Sequence, residues 1–182
     1  MPKMVTINGS PTKQSKTGIL IDAIADAIAR KMPVESQRIS LCDVGHEVMR
    51  GLTRPGVSSE GEKLLRLVET SDIIVVGTPM YRASYTGLLK HFFDLLERDA
   101  VRNRKAVMCA TGANQMHTLA LEHELRPLMS FFPIQTTATS IYATSGDFAD
   151  GSISNASIKD SIERAACEMA DFFAATWANS HR

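Results

Sequence analysis

One uninterrupted run of β-branched residues, Ile73 to Val76, limits the folds open to this chain. A strand with water on one face alternates apolar and polar side chains, whereas a strand that is apolar at every position has both faces covered. Such strands are typical of parallel sheets that carry helices on both sides. The run therefore predicts a central parallel strand over residues 72–77.

Strand and helix periodicities alternate along the sequence and order it as five β-α units. The predicted strands cover residues 4–8, 34–41, 72–77, 105–110 and 134–141, and the predicted helices cover 17–31, 60–70, 87–98, 116–131 and 156–177. A loop rich in Gly, Pro and Ser is expected over residues 43–59. Pro127 lies inside the fourth helix and predicts a kink or a functional distortion there. The pattern predicts an α/β, flavodoxin-like fold, a five-stranded parallel sheet of order 2-1-3-4-5 with helices on both faces.

The composition sets limits on size, partners and compartment. With 182 residues, 44% of them hydrophobic, the chain fits a single domain over residues 1–182. Its 20 basic and 20 acidic residues cancel, so neither nucleic acid nor an anionic membrane is expected as a partner. Cys42, Cys109 and Cys167 show no disulfide or metal spacing, and His117 and His123 are not four apart, so we expect reduced cysteines, a cytoplasmic protein and no metal. No run approaches the ~18 apolar residues of a membrane span.

The loops that follow strands one, three and four, residues 9–17, 78–86 and 111–115, are rich in small and polar residues. In the predicted strand order these loops meet at the carboxyl edge of the sheet, where ligands of open α/β sheets bind. The sequence therefore predicts one ligand site built from three separate loops.

The first loop runs from a strand into a helix N-terminus, which stabilises an anion through unpaired N–H groups and the helix dipole. It lacks the glycines of a Walker A loop, and the next glycine after Gly9 is Gly18, so a dinucleotide fingerprint is absent as well. A phosphate monoester fits, and the ribityl phosphate of FMN is the natural candidate in this fold. The alternative is an ordinary set of helix caps. The candidate phosphate-binding residues are Ser10, Thr12, Ser15, Lys16 and Thr17.

The second and third loops are candidates for holding a flat ring. A fixed proline beside Met80 and Tyr81 can form a wall for an isoalloxazine. Taken without the other loops, however, this loop is better explained by Tyr81 and Tyr85 as ordinary amphipathic anchors whose hydroxyls reach water. Arg82 could steer a nicotinamide phosphate or be a solvated surface charge. The small residues of the third loop allow close backbone approach, but a plain turn capped by Asn114 or Thr118 is the alternative. The ring-binding candidates are Pro79, Met80, Tyr81, Arg82, Ser84, Thr111, Gly112, Ala113 and Gln115.

Taken together, the motifs Gly9-Ser10-Pro11, Thr78-Pro79-Met80-Tyr81 and Ala110-Thr111-Gly112 resemble those of the NAD(P)H-dependent FMN reductase family. Residues 85–90 and 125–128 resemble the reductases of two-component alkanesulfonate and methanesulfonate monooxygenase systems. The resemblance implies that the protein reduces FMN with NAD(P)H and supplies a flavin-dependent monooxygenase in sulfonate sulfur assimilation. It implies FMN and NAD(P)H as cofactors and hydride transfer from nicotinamide C4 to flavin N5, for which no catalytic side chain is expected.

The resemblance also bears on assembly. In the alkanesulfonate branch an inserted tyrosine in the fourth helix forms a π-bulge at the subunit interface, and His123 stands at that position here. Where the family's G-S-x-R pattern has an arginine, this chain has Thr12 and Lys13 around that place. This difference predicts weaker phosphate binding and a flavin that leaves the protein. The fourth helix has more apolar residues than one core-facing stripe needs, which predicts a homodimer or homotetramer unless all are buried in the monomer. These residues are Met116, Leu119, Leu121, Leu125, Leu128 and Met129.

Two other functions stay open at this point. A quinone or azo-compound reductase would use the same site with a different acceptor, and the sequence does not exclude it. A flavodoxin-type electron-transfer protein is usually strongly acidic, so the zero net charge disfavours it.

Overall fold

The structure, a computed structural model, describes the backbone of residues 1–180 and the side chains of residues 1–174. The strands are β1 (Lys3–Asn8), β2 (Glu35–Ser40), β3 (Ile73–Pro79), β4 (Lys105–Gly112), β5 (Gln135–Thr136), β6 (Ile141–Thr144), β7 (Phe148–Ala149) and β8 (Ser152–Ile153). The α-helices are α1 (Lys16–Lys31), α2 (Leu41–Met49), α3 (Ser59–Glu69), α4 (Gly87–Asp94), α5 (Arg126–Phe131) and α6 (Ala156–Ser180). The main sheet is parallel with the order β2-β1-β3-β4-β5, and β6 also pairs with β4. The predicted flavodoxin-like order is confirmed.

Strand β3 is central and covered on both faces, as its sequence predicts. Ile73 and Val75 are fully buried in the core that α1 and α6 form on one side. Ile74 and Val76 are fully buried in the second core, which α2, α3, α4 and α5 form on the other side. Since successive side chains of a strand point to opposite faces, an all-apolar strand supplies both cores at once.

The predicted loop over residues 43–59 is wrong in its first part, because α2 covers Leu41 to Met49. Leu41 and Val48 are buried against the sheet, and this burial stabilises the helix. Gly45 suggests a loop by its propensity, but a Cβ atom there would lie 2.9 Å from Leu88 Cδ1 on α4. The glycine therefore permits two helices to pack closely, and tertiary packing overrides its low helix propensity.

The fifth predicted strand, residues 134–141, is also corrected. It is divided into β5 and β6, and the segment between them bonds to side chains. The Thr139 N–H and hydroxyl both donate to Glu168 of α6, while the Thr137 hydroxyl donates to Thr139 O. The backbone can leave the strand conformation here because these side chains satisfy its polar groups.

Beyond β6 the chain turns around a buried carboxylate that the sequence analysis did not single out. Asp147 is 6% exposed and accepts hydrogen bonds from the Thr144 N–H, the Thr144 hydroxyl and the Asn155 amide. Burial acts to raise the pKa of Asp147, but these hydrogen bonds outweigh it and lower the pKa below its ordinary value. The carboxylate thus connects the end of β6 to the start of α6.

The predicted fourth β-α unit contains the distortion that Pro127 suggests. Instead of one helix over 116–131, a 3₁₀ turn (Gln115–His117) precedes a π-helical turn (Leu121–Leu125) that includes His123, and α5 follows. Pro127 lies in the first turn of α5, directly after the π-helical turn, and without an N–H it cannot continue the hydrogen bonding of that turn. The helix predicted over residues 87–98 also ends earlier, at Asp94 of α4. Over the described residues, no helix combines the length and apolar character needed to cross a membrane.

Candidate functional site

The three predicted loops meet at the carboxyl edge of the sheet and are joined by hydrogen bonds. The Gly9 N–H donates to Gly77 O at 2.8 Å, which connects the first loop to β3. The Met80 N–H donates to Thr111 O at 2.8 Å, and the hydroxyls of Thr17 and Thr111 lie 2.6 Å apart. The second loop is therefore joined to the third, and the third to the first helix turn.

Thr86 is a buried hydrogen-bond centre that joins the first and second loops. Its hydroxyl donates to Gly9 O at 2.8 Å and accepts from the Leu89 N–H at 3.2 Å, which makes it the N-cap of α4. Its own N–H donates to Thr78 Oγ1 at 3.2 Å. Thr86 is not among the predicted site residues, although a threonine directly before an apolar helical pattern is an N-cap signal.

The first loop lies at the N-terminus of α1, as predicted. Ser15 is the N-cap and accepts from the Gly18 N–H at 3.2 Å, a contact that does not use the hydroxyl proton. The first turn of α1 contains no acidic residue, so the positive end of the helix dipole is not neutralised from within the helix. Ser10 is 3% exposed, its N–H donates to Asn8 Oδ1 at 3.0 Å, and its hydroxyl lies 3.1 Å from Thr12 Oγ1. This donor set suits an anion.

A cleft with a volume of about 370 Å³ opens between the second and third loops. This is within the usual range of small-molecule sites, roughly 300–1,000 Å³. Met80 is 8% exposed and Tyr81 is half exposed, so the second loop supplies both a buried and an open surface. The residues that line the cleft are Lys16, Pro79, Met80, Tyr81, Thr111, Gly112, Ala113 and Ser145. All of these were predicted except Ser145, which was missed because the strand before it was expected to end at residue 141.

The second loop contains a tight turn with an unusual backbone. Tyr81 and Ser84 exchange two backbone hydrogen bonds, of 2.9 and 3.2 Å, around Arg82 and Ala83. Both central residues have positive φ, 53° and 67°, a region that costs an L-residue about 1–2 kcal/mol. The Ser84 hydroxyl donates to Glu124 Oε2 at 3.0 Å, which holds the turn against the π-helical turn. Backbone strain of this kind is concentrated at functional sites.

Several predicted residues lie beside the cleft rather than on its lining. Thr17 is 1% exposed with its hydroxyl on Thr111, and Ser84 contacts Glu124. Gln115 accepts from the Thr118 hydroxyl through Oε1 at 2.9 Å, and the Asn114 side chain caps the following turn through the Met116 N–H. The capping alternative for the third loop is thus correct for Asn114, while Gly112 and Ala113 line the cleft. Arg82 is exposed at the tip of the tight turn.

Two charged clefts elsewhere are larger but suit a planar ring less well. One of about 550 Å³ lies between α1 and α6 and contains the ion pair Arg30–Glu163 at its rim. Another of about 620 Å³ is lined by residues 13–16 of the first loop and extends to Arg38, which pairs with Asp22. Arg30 and Arg38 thus have acidic partners, and neither cleft includes the second or third loop. The cleft at the three-loop rim is therefore the better site for a flavin, despite its smaller volume.

Cys109 does not contribute a reactive group to this site. It is fully buried on β4, where a Cβ atom at Gly77 would lie 2.7 Å from its sulfur. Burial raises the pKa of the Cys109 thiol, so the thiol stays protonated. Among the side chains of residues 1–174, no group of three or more His, Cys, Asp or Glu is arranged to hold a metal.

The chain is similar in sequence to known FMN reductases. A family model described as NADPH-dependent FMN reductase matches residues 2–149. The NADH-dependent FMN reductase SfnF of Pseudomonas fluorescens is 37% identical, over 94% of this chain and 91% of that protein. An FMN reductase (NADPH) of Pseudomonas aeruginosa is 34% identical, over 94% of this chain and 92% of that protein.

Solved structures show the same fold. An oxidoreductase of Corynebacterium diphtheriae superposes with a TM-score of 0.84 at 31% identity, over 94% of this chain and 96% of that chain. The apo form of an NADH:FMN oxidoreductase, EmoB, superposes with a TM-score of 0.81 at 24% identity, over 92% of this chain and 89% of that chain. With the family match covering most of the sequence and relatives above 30% identity over nearly all of it, this chain belongs to the NADPH-dependent FMN reductase family.

Proposed function

We propose that this protein reduces FMN with NADH or NADPH. The observation that carries the proposal is the three-loop rim, in which the N-terminus of α1 adjoins a cleft with two walls. Curated relatives named as NADH-dependent and as NADPH-dependent FMN reductases support this activity without deciding between the two nicotinamides.

The proposed roles follow from the chemistry of each wall. Ser10, Thr12 and Ser15, with the α1 N-terminus and Lys16, would hold the phosphate through hydroxyl, amide and ammonium donors. The segment Pro79–Tyr81 would stack against one face of the ring, and Thr111, Gly112 and Ala113 would meet its edge. Thr17, Ser84 and Gln115 would support the binding residues from behind, because their side chains already contact protein. Arg82, exposed at the turn, would meet a phosphate of the nicotinamide cofactor.

Bound FMN would supply the redox chemistry, as acceptor of a hydride from the nicotinamide. The chain's own contribution is to bind, orient and shield. The residues that line the cleft include no Asp, Glu, His or Cys, and the proposed hydride transfer needs no proton transfer from the two titratable side chains there, Lys16 and Tyr81. Fixed walls on two loops restrict how the rings can meet, and orientation of this kind can account for much of a rate acceleration.

Reduced flavin would then leave for a flavin-dependent monooxygenase, in the manner of two-component sulfonate systems. The resemblance of residues 85–90 and 125–128 supports this proposal, as do relatives with Sfn names. We also propose a homo-oligomer. Met116 and Leu119 are 85% and 63% exposed, whereas Leu121, Leu125 and Met129 are buried in the monomer, so only part of the apolar surface is used internally.

The test follows nicotinamide absorbance with purified protein and FMN, riboflavin or a quinone as acceptor. FMN-dependent oxidation of NADH or NADPH is expected, and turnover with the quinone alone would instead support a quinone reductase. A Ser15→Leu variant distinguishes phosphate binding from ring binding. Ser15→Ala is the control, since it removes the hydroxyl without adding bulk. In a flavin fluorescence titration Ser15→Leu should weaken FMN more than riboflavin. Equal weakening of both would show that the phosphate binds elsewhere.

A further inference from the structure

Tyr142 lies behind the third loop and contacts it directly. The residue is 7% exposed on β6, in register with Ala110 of β4. Its hydroxyl donates to Asn114 O at 2.8 Å. Burial raises the pKa of Tyr142, so the phenol keeps its proton and remains a donor at neutral pH. Tyr142 therefore fixes one end of the loop that forms a wall of the cleft.

The same phenol occupies the space next to Gly112. A Cβ atom at position 112 would lie 1.9 Å from the Tyr142 hydroxyl oxygen and 2.8 Å from its Cζ. Contacts this short do not occur between real atoms, so a side chain at position 112 would require the ring or the loop to move. Gly112 and Tyr142 thus fit each other, and the loop backbone lies against the phenol.

The other end of this segment is fixed independently. Thr111 O accepts a hydrogen bond from the Met80 N–H, and the Thr111 hydroxyl lies 2.6 Å from the Thr17 hydroxyl. Between Thr111 and Asn114, Gly112 and Ala113 line the cleft. A backbone segment held at both ends can present one surface to a ligand without ordering itself on binding.

We propose that Tyr142 is a positioning residue for the flavin ring, which acts by holding the Gly112–Asn114 backbone as a preformed wall of the cleft. It is not a catalytic residue, since it reaches the cleft only through the loop. The inference rests on the proposed flavin site. It adds a residue that neither the sequence motifs nor the cleft lining identifies.

The first test is Tyr142→Phe, which removes the hydroxyl and keeps the ring. Titration without nicotinamide should show the dissociation constants of FMN and riboflavin rising by a common factor of about 3 to 10, the factor expected for one neutral hydrogen bond. In the ligand-free protein, amide hydrogen exchange over residues 112–116 should be faster. At saturating FMN, the kcat of the variant should stay within about twofold of the wild-type value, because bound flavin orders the loop in both proteins.

Ser71→Ala is the matched control. Ser71 is 2% exposed and its hydroxyl donates to Val68 O at 2.8 Å, just before β3 and hence at the opposite edge of the sheet. This variant removes a buried hydroxyl far from the third loop and should leave both dissociation constants unchanged. Wild-type flavin affinity and wild-type exchange in Tyr142→Phe would overturn the inference, as would a loss that affects FMN but not riboflavin.

A second test joins Tyr142 to Gly112. Gly112→Ala should weaken flavin binding by at least about tenfold in the wild type and by a smaller factor in Tyr142→Phe, because the shortest clash involves the hydroxyl oxygen. Independent, multiplicative effects would contradict a shared contact. Wild-type protein that binds no flavin would refute the proposed site itself, whereas wild-type protein that binds flavin with an unaltered Tyr142→Phe variant would refute only this inference.

Discussion

Replacing Thr86 by valine should separate the first two loops of the rim without changing the volume of the core. The side chain is 4% exposed and keeps its branched shape, but the variant loses the hydroxyl that donates to Gly9 O and accepts from the Leu89 N–H. The perturbation is therefore limited to two hydrogen bonds, one between loops and one at the start of α4.

The expected magnitude follows from these two contacts. Loss of a threonine N-cap costs about 1 kcal/mol. The buried Gly9 carbonyl loses its Thr86 donor, which costs about a further 1–3 kcal/mol. The free energy of unfolding should thus fall by about 2–4 kcal/mol in Thr86→Val. Thr86→Ser keeps the hydroxyl and loses one methyl group, so its free energy of unfolding should fall by only about 1 kcal/mol.

Urea denaturation followed by circular dichroism measures the unfolding free energy of both variants, and a flavin fluorescence titration measures their affinity for FMN. We expect the FMN dissociation constant to rise about fivefold or more in Thr86→Val and to stay within about twofold in Thr86→Ser. Equal stability of the two variants would refute the assigned hydrogen bonds. Lost stability with unchanged FMN affinity would show that the junction of the first and second loops does not shape the flavin site.

Three further predictions concern the frame around the site. Ala83→Gly relieves the left-handed backbone at φ 67° and should raise the free energy of unfolding by about 0.5–1 kcal/mol; a lower melting temperature would contradict the strained turn. Gly77→Ala should destabilise the protein by about 1–3 kcal/mol, because its Cβ would lie 2.7 Å from Cys109 Sγ and Ile21 Cδ1. Adding Cys109→Ala should restore part of the lost stability in thermal denaturation, and no recovery would count against this overlap. Asp147→Asn should be less stable than the wild type at pH 7. Because a carboxylate with a lowered folded-state pKa stabilises only while it is ionised, this difference in unfolding free energy should shrink as the pH falls through the ordinary aspartate pKa of about 3.9 and below. Equal differences in urea denaturation at pH 7 and pH 3 would contradict this.

Local pattern was sufficient to predict the strand order of the sheet, but not every strand and connection. The all-apolar run of β3 and the stripe on α1 each report burial by nearby residues alone, and both were correct. Helix α2 was missed because Gly45 is explained by Leu88, a residue distant in sequence. The division of the fifth strand depends on Glu168 of α6, which no local pattern around residue 139 reveals.

The same distinction holds for the site. Pro79, Met80 and Gly112 were predicted because small, fixed or apolar residues after a strand carry a local signal. Thr86 and Tyr142 were missed because their role lies in contacts with Gly9 O, 77 residues away, and Asn114 O, 28 residues away. Motifs thus identified residues that face the cleft, whereas the residues that hold its walls required the folded chain.

We propose that the three-loop rim holds FMN by its phosphate at the first loop and by its ring between the second and third loops. A crystal structure of the protein with oxidised FMN tests this most directly. We expect the phosphate within hydrogen-bond distance of residues 10–17 at the α1 N-terminus, with the ring between Pro79–Tyr81 and Gly112–Ala113. Density for the flavin in the groove between α1 and α6, or a phosphate away from residues 10–17, would contradict it.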